Sequence, residues 1–322
     1  MRLRSTASSR VLCVAVSAFC FQLILTNARV VTGQEPARQP APASPPNAPV
    51  QGRGRGPIPV DPRVQIRMHH FAETNEEIPY ALFVSSKVDP KKKAPMIVTL
   101  HGLGGTHTTM MRPVALDLAE AGGYILVAPM GYNPRGWYGI PRGPRRGGPP
   151  PNAASNAAPT DAAGATQPRR GGPPPGALNG ANDPPNVREL SEKDTLEVVD
   201  LVRKEFKVDE KRTYLMGHSM GGAGTYYLAV KYPDRWAAIA VLAPAAFGLD
   251  PNSLATIPKT PVMVVHGDMD TAVPVSLSRN WVEVMKSLKI PHQYIEVAGG
   301  DHGSVITSHQ SDLFAFFAKH KR

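Results

Sequence analysis

One serine of the sequence lies in a glycine-rich turn of the kind that holds a catalytic nucleophile. Residues 217–222 read Gly-His-Ser-Met-Gly-Gly, which places Ser219 in the pattern G-x-S-x-G. A short apolar stretch, 213–216, precedes this turn, and a helical pattern, 223–231, follows it. A serine on a tight strand-to-helix turn needs glycine neighbours because the backbone is crowded there. This context favours a nucleophile over an ordinary serine in a glycine-rich turn.

A serine hydroxyl becomes a good nucleophile when a histidine that is held by a carboxylate removes its proton. Two later loops supply these groups, and each loop follows an apolar stretch with strand character. The first contains Asp268 and Asp270, and the second contains His302. The order serine, acid, histidine is the one that follows a nucleophile elbow. We assign His302 as the base and Asp270 as the acid, with Asp268 as the alternative acid or a structural residue of its turn.

A metal site is the rival interpretation of these loops. It would use Asp268, Asp270, Asp301 and His302, and it would make the order of the three groups accidental. We therefore predict neither a metal nor a cofactor. The two histidines beside the site, at positions 218 and 266, are expected to form supporting hydrogen bonds.

Acyl transfer at a serine also needs two backbone N–H donors for the oxyanion of the tetrahedral intermediate. The residue after the nucleophile, Met220, supplies the first donor. Residues 101–105 read His-Gly-Leu-Gly-Gly and directly follow the strand-like stretch 95–100. We assign Leu103 in this loop as the second donor.

Three aromatic residues follow the fourth predicted strand. They are Tyr132, Trp137 and Tyr138. They are candidates for an aromatic wall that would bind a phenolic or sugar moiety of a substrate, and the alternative is an anchor for a surface loop.

The segments that must position these groups alternate between strand and helix. Apolar or alternating stretches predict eight strands, at 64–70, 80–86, 95–101, 124–128, 213–216, 237–242, 261–265 and 293–297. Amphipathic stretches predict five helices, at 110–120, 189–206, 223–231, 275–288 and 305–319. This alternation predicts an α/β fold with a mainly parallel central sheet and helices on both faces. Ligands bind at the carboxyl ends of such strands.

The N-terminal residues 1–33 have the layout of a signal peptide, with a basic start, an apolar run at 11–25 and small residues after it. The run is shorter than the ~20 residues of a membrane-spanning helix. We therefore predict a secreted or periplasmic protein without stable membrane insertion after signal cleavage. Both cysteines, Cys13 and Cys20, lie in this segment, which predicts a mature chain without a disulfide.

Two further stretches are rich in proline and glycine. Residues 34–60 predict a disordered tether, because they have almost nothing to bury. Residues 141–186 contain Arg-Arg-Gly-Gly-Pro-Pro-Pro twice and predict a disordered insert in a surface loop. The alternatives for the insert are a lid or a contact to polyanionic wall material. The α/β catalytic domain then spans 61–322.

The net charge of +10 lies mainly in these extra segments. Residues 1–33 carry +4, residues 34–60 carry +2 and residues 141–186 carry +3, which leaves +1 for the rest. A nucleic-acid site needs clustered basic residues on the folded surface. The charge distribution therefore excludes nucleic acid as a partner.

Four segments together resemble the α/β-hydrolase superfamily: 101–105, 217–222, 266–270 and 301–303. Within it, the chain is similar to feruloyl-esterase and polyhydroxybutyrate-depolymerase-like esterases, with dienelactone hydrolases and prolyl-oligopeptidase catalytic domains as relatives. The resemblance covers 64–140 and 187–320. It implies an α/β-hydrolase fold, a small-molecule or polymeric ester as substrate, and Asp270 as the acid. The insert is not a feature of the family.

Two other functions compete with the esterase. One is a peptidase of the prolyl-oligopeptidase type, although such enzymes usually carry a large gating domain before the catalytic one. The other is a wall-binding protein with an inactive hydrolase core, against which the complete set of three groups and two donors argues.

Overall fold

The sheet that carries the candidate site has eight strands among the described residues. The computed structural model describes residues 59–142 and 183–322, so the predicted signal peptide, nearly all of the tether and most of the insert lie outside it. The strands are β1 Gln65–Phe71, β2 Glu76–Val84, β3 Ala94–Leu100, β4 Ile125–Pro129, β5 Val208–His218, β6 Ala238–Leu242, β7 Val262–Gly267 and β8 His292–Val297. The helices are α1 Pro113–Gly122, α2 Val187–Glu205, α3 Met220–Lys231, α4 Val275–Ser287 and α5 Gln310–Lys319.

The order of the strands across the sheet is β1-β2-β4-β3-β5-β6-β7-β8. β1 and β2 form an antiparallel pair, and β2 is also antiparallel to β4. All later neighbours are parallel, from β4 through β8. The predicted mainly parallel sheet is confirmed. The carboxyl ends of β3, β5, β6, β7 and β8 therefore meet at one edge.

Helices cover both faces of this sheet. The strands β3, β4, β6 and β7 are buried along their whole length, which is why they read as continuous apolar runs in the sequence. Successive residues of β3 point to opposite faces, so that Val98 belongs to the core cluster that includes residues of α2, α3 and α4, whereas Ile97 belongs to the cluster that includes residues of α1 and α5. Within the two described ranges, no helix combines the length and the apolar character that crossing a bilayer requires.

Two helices begin later than the sequence predicts. Helix α1 begins at Pro113, because proline fits the first turn of a helix, where its missing N–H has no partner to lose. Helix α5 begins at Gln310, after a separate 3₁₀ turn at Ser304–Ile306. His309 interrupts the two with a left-handed φ of 56°. The turn belongs to the loop that carries His302, and it is described below.

Candidate active site

Ser219 lies between the end of β5 and the start of α3. Its φ is 56°, a left-handed value that costs a residue with a side chain about 1–3 kcal/mol. Two backbone hydrogen bonds hold this conformation. The Ser219 N–H donates to the carbonyl of Leu242 at the end of β6, and the Ser219 carbonyl accepts from the Ala245 N–H, both at 2.9 Å. The serine is therefore fixed by the neighbouring strand and the loop after it.

Two glycines allow the turn to pack closely. A Cβ atom on Gly217 would overlap the carbonyl of Gly221, and one on Gly221 would overlap the carbonyl of Leu100 at the end of β3. A side chain at Gly217 would push α3 away from β5, and one at Gly221 would push α3 away from β3. The G-x-S-x-G pattern thus places Ser219 beside the loop that follows β3.

His302 forms hydrogen bonds to both other residues of the predicted triad. Its Nε2 lies 2.9 Å from the Oγ of Ser219, and its Nδ1 lies 2.7 Å from Oδ2 of Asp270. This arrangement suits a histidine that donates its Nδ1–H to the carboxylate and accepts the serine hydroxyl at Nε2. The structure thus brings Ser219, His302 and Asp270 into one hydrogen-bonded line.

The carboxylate of Asp270 is buried and satisfied. Its Oδ1 accepts the N–H groups of Ala272 and Val273, both at 2.8 Å, and these bonds offset the cost of burying a charge. Its Oδ2 also lies 3.2 Å from Nε2 of His266. His266 is fully buried, and burial lowers the pKa of its ring. Its other nitrogen, Nδ1, lies 2.6 Å from the Oγ of Ser278.

The second aspartate of the same loop points elsewhere. Asp268 is exposed, and its Oδ1 accepts the N–H of Gly299 at 2.7 Å. The Met269 N–H donates to the carbonyl of Gly300 at 3.0 Å, which adds a backbone bond in the same place. Asp268 therefore connects the loop after β7 to the loop after β8. The sequence suggested a structural role within its own turn, and the contact that the structure shows is between loops.

The loop that carries His302 is also closed on itself. Oδ1 of Asp301 accepts the N–H groups of Gly303 at 2.9 Å and Ser304 at 2.7 Å. These bonds, above all the one from Ser304, lower the pKa of Asp301. The carboxylate thus holds the turn on both sides of His302. Among the described residues, no group of three or more His, Cys, Asp or Glu side chains is arranged to hold a metal ion.

The two predicted oxyanion donors are both available. Across the described ranges, neither the Leu103 N–H nor the Met220 N–H donates a hydrogen bond. Met220 is the first residue of α3, where helix N–H groups lack partners. The loop of Leu103 approaches the serine closely, since a Cβ atom on Gly102 would lie 3.1 Å from that of Ser219. One free amide therefore directly follows the nucleophile, and the other belongs to the loop that lies beside it.

The three aromatic residues do not form an exposed wall. Tyr138 is completely buried, and its hydroxyl donates to the carbonyl of His101 at 3.1 Å. Trp137 is 6% exposed. Tyr132 packs against Phe71 at a centroid distance of 5.9 Å. The ring of Tyr138 therefore lies in the core rather than in an exposed wall, and its backbone has a left-handed φ of 50°. Its hydroxyl thus contacts the first residue of the loop that carries Leu103.

His218 contacts His302, the predicted base, although the two residues are far apart in the sequence. Its Nε2 donates to the carbonyl of His302 at 2.7 Å, and the two ring centroids are 4.7 Å apart. Burial, with a further contribution from the neighbouring His302, lowers the pKa of His218 from its ordinary 6.5 to about 4. The sequence predicted a supporting hydrogen bond here, but it did not indicate the partner.

The loops around the serine also expose apolar side chains. Among the described residues, the exposed large apolar side chains of these loops are Leu103 after β3, Phe247 after β6 and Met269 after β7, with exposures of 40%, 36% and 64%. They follow three of the strands whose carboxyl ends meet at the site. We call this set the apolar rim.

Residues 176–304 match a family model described as putative esterase. This range contains all three residues of the hydrogen-bonded line. Cutinase 1 from Thermobifida cellulosilytica is 34% identical over 97 residues, which cover 30% of this chain and 35% of the cutinase. The chain thus spans about a third of the length of that relative.

Solved structures share the fold over a longer range. A thermostable esterase superposes with a TM-score of 0.56 at 23% identity, covering 81% of this chain and 64% of the other. A ferulic acid esterase from Anaeromyces mucronatus superposes with a TM-score of 0.55 at 17% identity, covering 80% and 90%. At these identities the likeness concerns the fold alone. The chain has the α/β-hydrolase fold, as the resemblance of its motifs implied.

Acidification should destabilise the protein through His218. Its pKa in the folded chain is about 4, so between pH 6.5 and pH 4 the unfolded chain binds a proton here that the folded chain does not. The free energy of unfolding should therefore fall as the pH drops through this range, by up to about 3 kcal/mol for this residue. Urea unfolding at pH 7, 6, 5 and 4 measures the change.

The variant His218→Gln provides the matched control, because it removes this titration and keeps the other buried histidines. Its free energy of unfolding should fall less steeply with decreasing pH. Equal slopes for the two proteins would contradict the assignment.

Proposed function

We propose that this chain is a serine hydrolase that cleaves carboxylic esters through an acyl-enzyme on Ser219. The observation that carries the proposal is the hydrogen-bonded line from Ser219 through His302 to Asp270, with two free amides beside the nucleophile. The matches to the putative esterase model and to a cutinase support the same chemistry.

In the first half of the reaction, the Oγ of Ser219 attacks the ester carbonyl while Nε2 of His302 takes its proton. Asp270 holds the Nδ1–H of the resulting imidazolium. The N–H groups of Leu103 and Met220 donate to the oxyanion, an interaction worth about 3–4 kcal/mol per donor in comparable sites. His302 then gives its proton to the leaving alkoxide, and the alcohol departs.

In the second half, a water molecule attacks the acyl group on Ser219. His302 takes a proton from this water and later returns it to the serine oxygen as the acid is released. The same base thus serves both halves. Ser219, His302, Asp270 and the two amides supply the protein groups for both halves, and the ester and water are the reactants.

The apolar rim supports a preference for esters with an apolar part. Exposed apolar side chains around a nucleophile gain free energy when a substrate removes them from water, at about 25 cal/mol per Å². The cutinase relative suggests that polymeric esters are among the substrates, together with small soluble ones. The signal-peptide pattern supports a secreted or periplasmic location, where such substrates are accessible.

The proposed activity can be tested on p-nitrophenyl acetate and butyrate, feruloyl esters, polyhydroxybutyrate and an aminoacyl amide. The wild-type protein should hydrolyse esters, and butyrate should give a kcat/KM at least equal to that of acetate because of the apolar rim. Ser219→Ala should reduce ester hydrolysis to background. Hydrolysis of the amide in preference to every ester would instead establish a peptidase, and activity that survives in Ser219→Ala would remove the serine from the mechanism.

Replacing each of the two aspartates of the loop after β7 by asparagine should have very different effects on kcat. Asp270→Asn should lower kcat by about 10⁴-fold, because His302 loses the carboxylate that sets its tautomer. Asp268→Asn should remain within about threefold of wild type, a difference of less than ~0.7 kcal/mol, since an amide oxygen can still accept the N–H of Gly299. Steady-state kinetics on one soluble ester measure both. The reverse ranking would identify Asp268 as the acid.

A further inference from the structure

His218 contacts the base of the proposed mechanism but has no step of its own in it. It immediately precedes Ser219 in the turn, and it is only 6% exposed. Its Nε2 lies 2.7 Å from the carbonyl oxygen of His302. Because a carbonyl oxygen can only accept a hydrogen bond, the proton of the neutral ring must lie on Nε2.

The ring of His218 also reaches the loop of the oxyanion donors. A Cβ atom built on Gly102 would lie 3.0 Å from Nδ1 of His218. The opposite part of the ring lies against His302, with 4.7 Å between the centroids. One side chain therefore fills the space between the loop after β3 and the loop after β8.

Besides the bond between His302 and Ser219 themselves, the other hydrogen bonds described for the His302 loop lie within it or join it to the loop after β7. Asp301 closes the loop on itself, and Asp268 joins it to the loop after β7. The bond from His218 joins it to the turn that carries Ser219. It therefore connects the backbone of His302 to the residue next to Ser219, while Nε2 of His302 lies 2.9 Å from the Ser219 Oγ.

His218 also suits a place beside a base that becomes positively charged during turnover. Burial lowers the pKa of His218 to about 4, so its ring is neutral at neutral pH. A neutral ring does not repel the imidazolium of His302. A lysine or arginine in this place would raise the energy of that intermediate.

We propose that His218 is a positioning residue for acyl transfer, which holds His302 at hydrogen-bond distance from Ser219 through its bond to the His302 carbonyl. The inference rests on the proposed function, because His218 acts only through the base. A misplacement of about 1 Å at a reacting group can reduce the rate on the order of 100-fold. The effect should therefore appear in kcat rather than in KM.

The experiment compares two replacements of similar size. In His218→Met the donor is lost, whereas in His218→Gln the side-chain amide nitrogen replaces Nε2 as a donor. With p-nitrophenyl butyrate, we expect His218→Met to lower kcat by about 10- to 100-fold with KM within about threefold of wild type. His218→Gln should recover kcat to within about fivefold of wild type. Thermal melting of both variants separates this effect from loss of folding.

The control is His70→Met on β1, an exposed histidine that should leave kcat unchanged. If His218→Met does not fold, His218→Asn replaces it, because its amide is one bond too short to reach the carbonyl and kcat should fall as expected for Met. The inference would be overturned if the variant without a donor had the kcat of wild type, or if folded His218→Met and His218→Gln lost kcat equally. Either result would leave the proposed esterase function intact. A wild-type protein that hydrolyses no ester would instead overturn the proposed function, and this inference with it.

Discussion

The close approach of the start of α3 to the end of β3 is the contact on which the candidate site depends. Gly221 permits it, because a side chain at that position would overlap the carbonyl of Leu100. The approach places the first amide of α3 and the loop after β3 on either side of Ser219. This arrangement requires a left-handed backbone at Ser219, which is unfavourable. Hydrogen bonds from Ser219 to the end of β6 and to the loop after it offset this cost.

Hydrogen bonds between loops then bring the remaining groups to this point. Asp268 joins the acid loop to the base loop, and His218 joins the base loop to the serine turn. The hydroxyl of Tyr138 donates a hydrogen bond to the carbonyl of His101, at the start of the loop that carries Leu103. Groups that are held before the substrate arrives need little reorganisation during the reaction, which is where electrostatic stabilisation has its greatest effect. The site is therefore best understood as a set of connected loops on a rigid sheet.

Much of this arrangement could be predicted from the sequence, because its signals are local. The strands β3, β6 and β7 are continuous apolar runs, and the candidate residues lie in the turns and loops after β3, β5, β7 and β8. The separation of Asp270 from Asp268 depends on contacts to another loop, and nothing in the local sequence shows these contacts. The burial of Tyr138 could not be predicted either, because the sequence of a loop reveals neither its backbone angles nor its burial. The late start of α5 reflects the turn that Asp301 closes around His302.

The central claim is that the hydroxyl of Ser219 is an activated nucleophile. The most direct measurement is mass spectrometry of the intact protein after treatment with an alkyl fluorophosphonate at neutral pH, followed by peptide mapping. The account predicts one adduct per chain, located on the peptide that contains Ser219, and no adduct on the many other serines. An unmodified chain, or an adduct on a different residue, would contradict it.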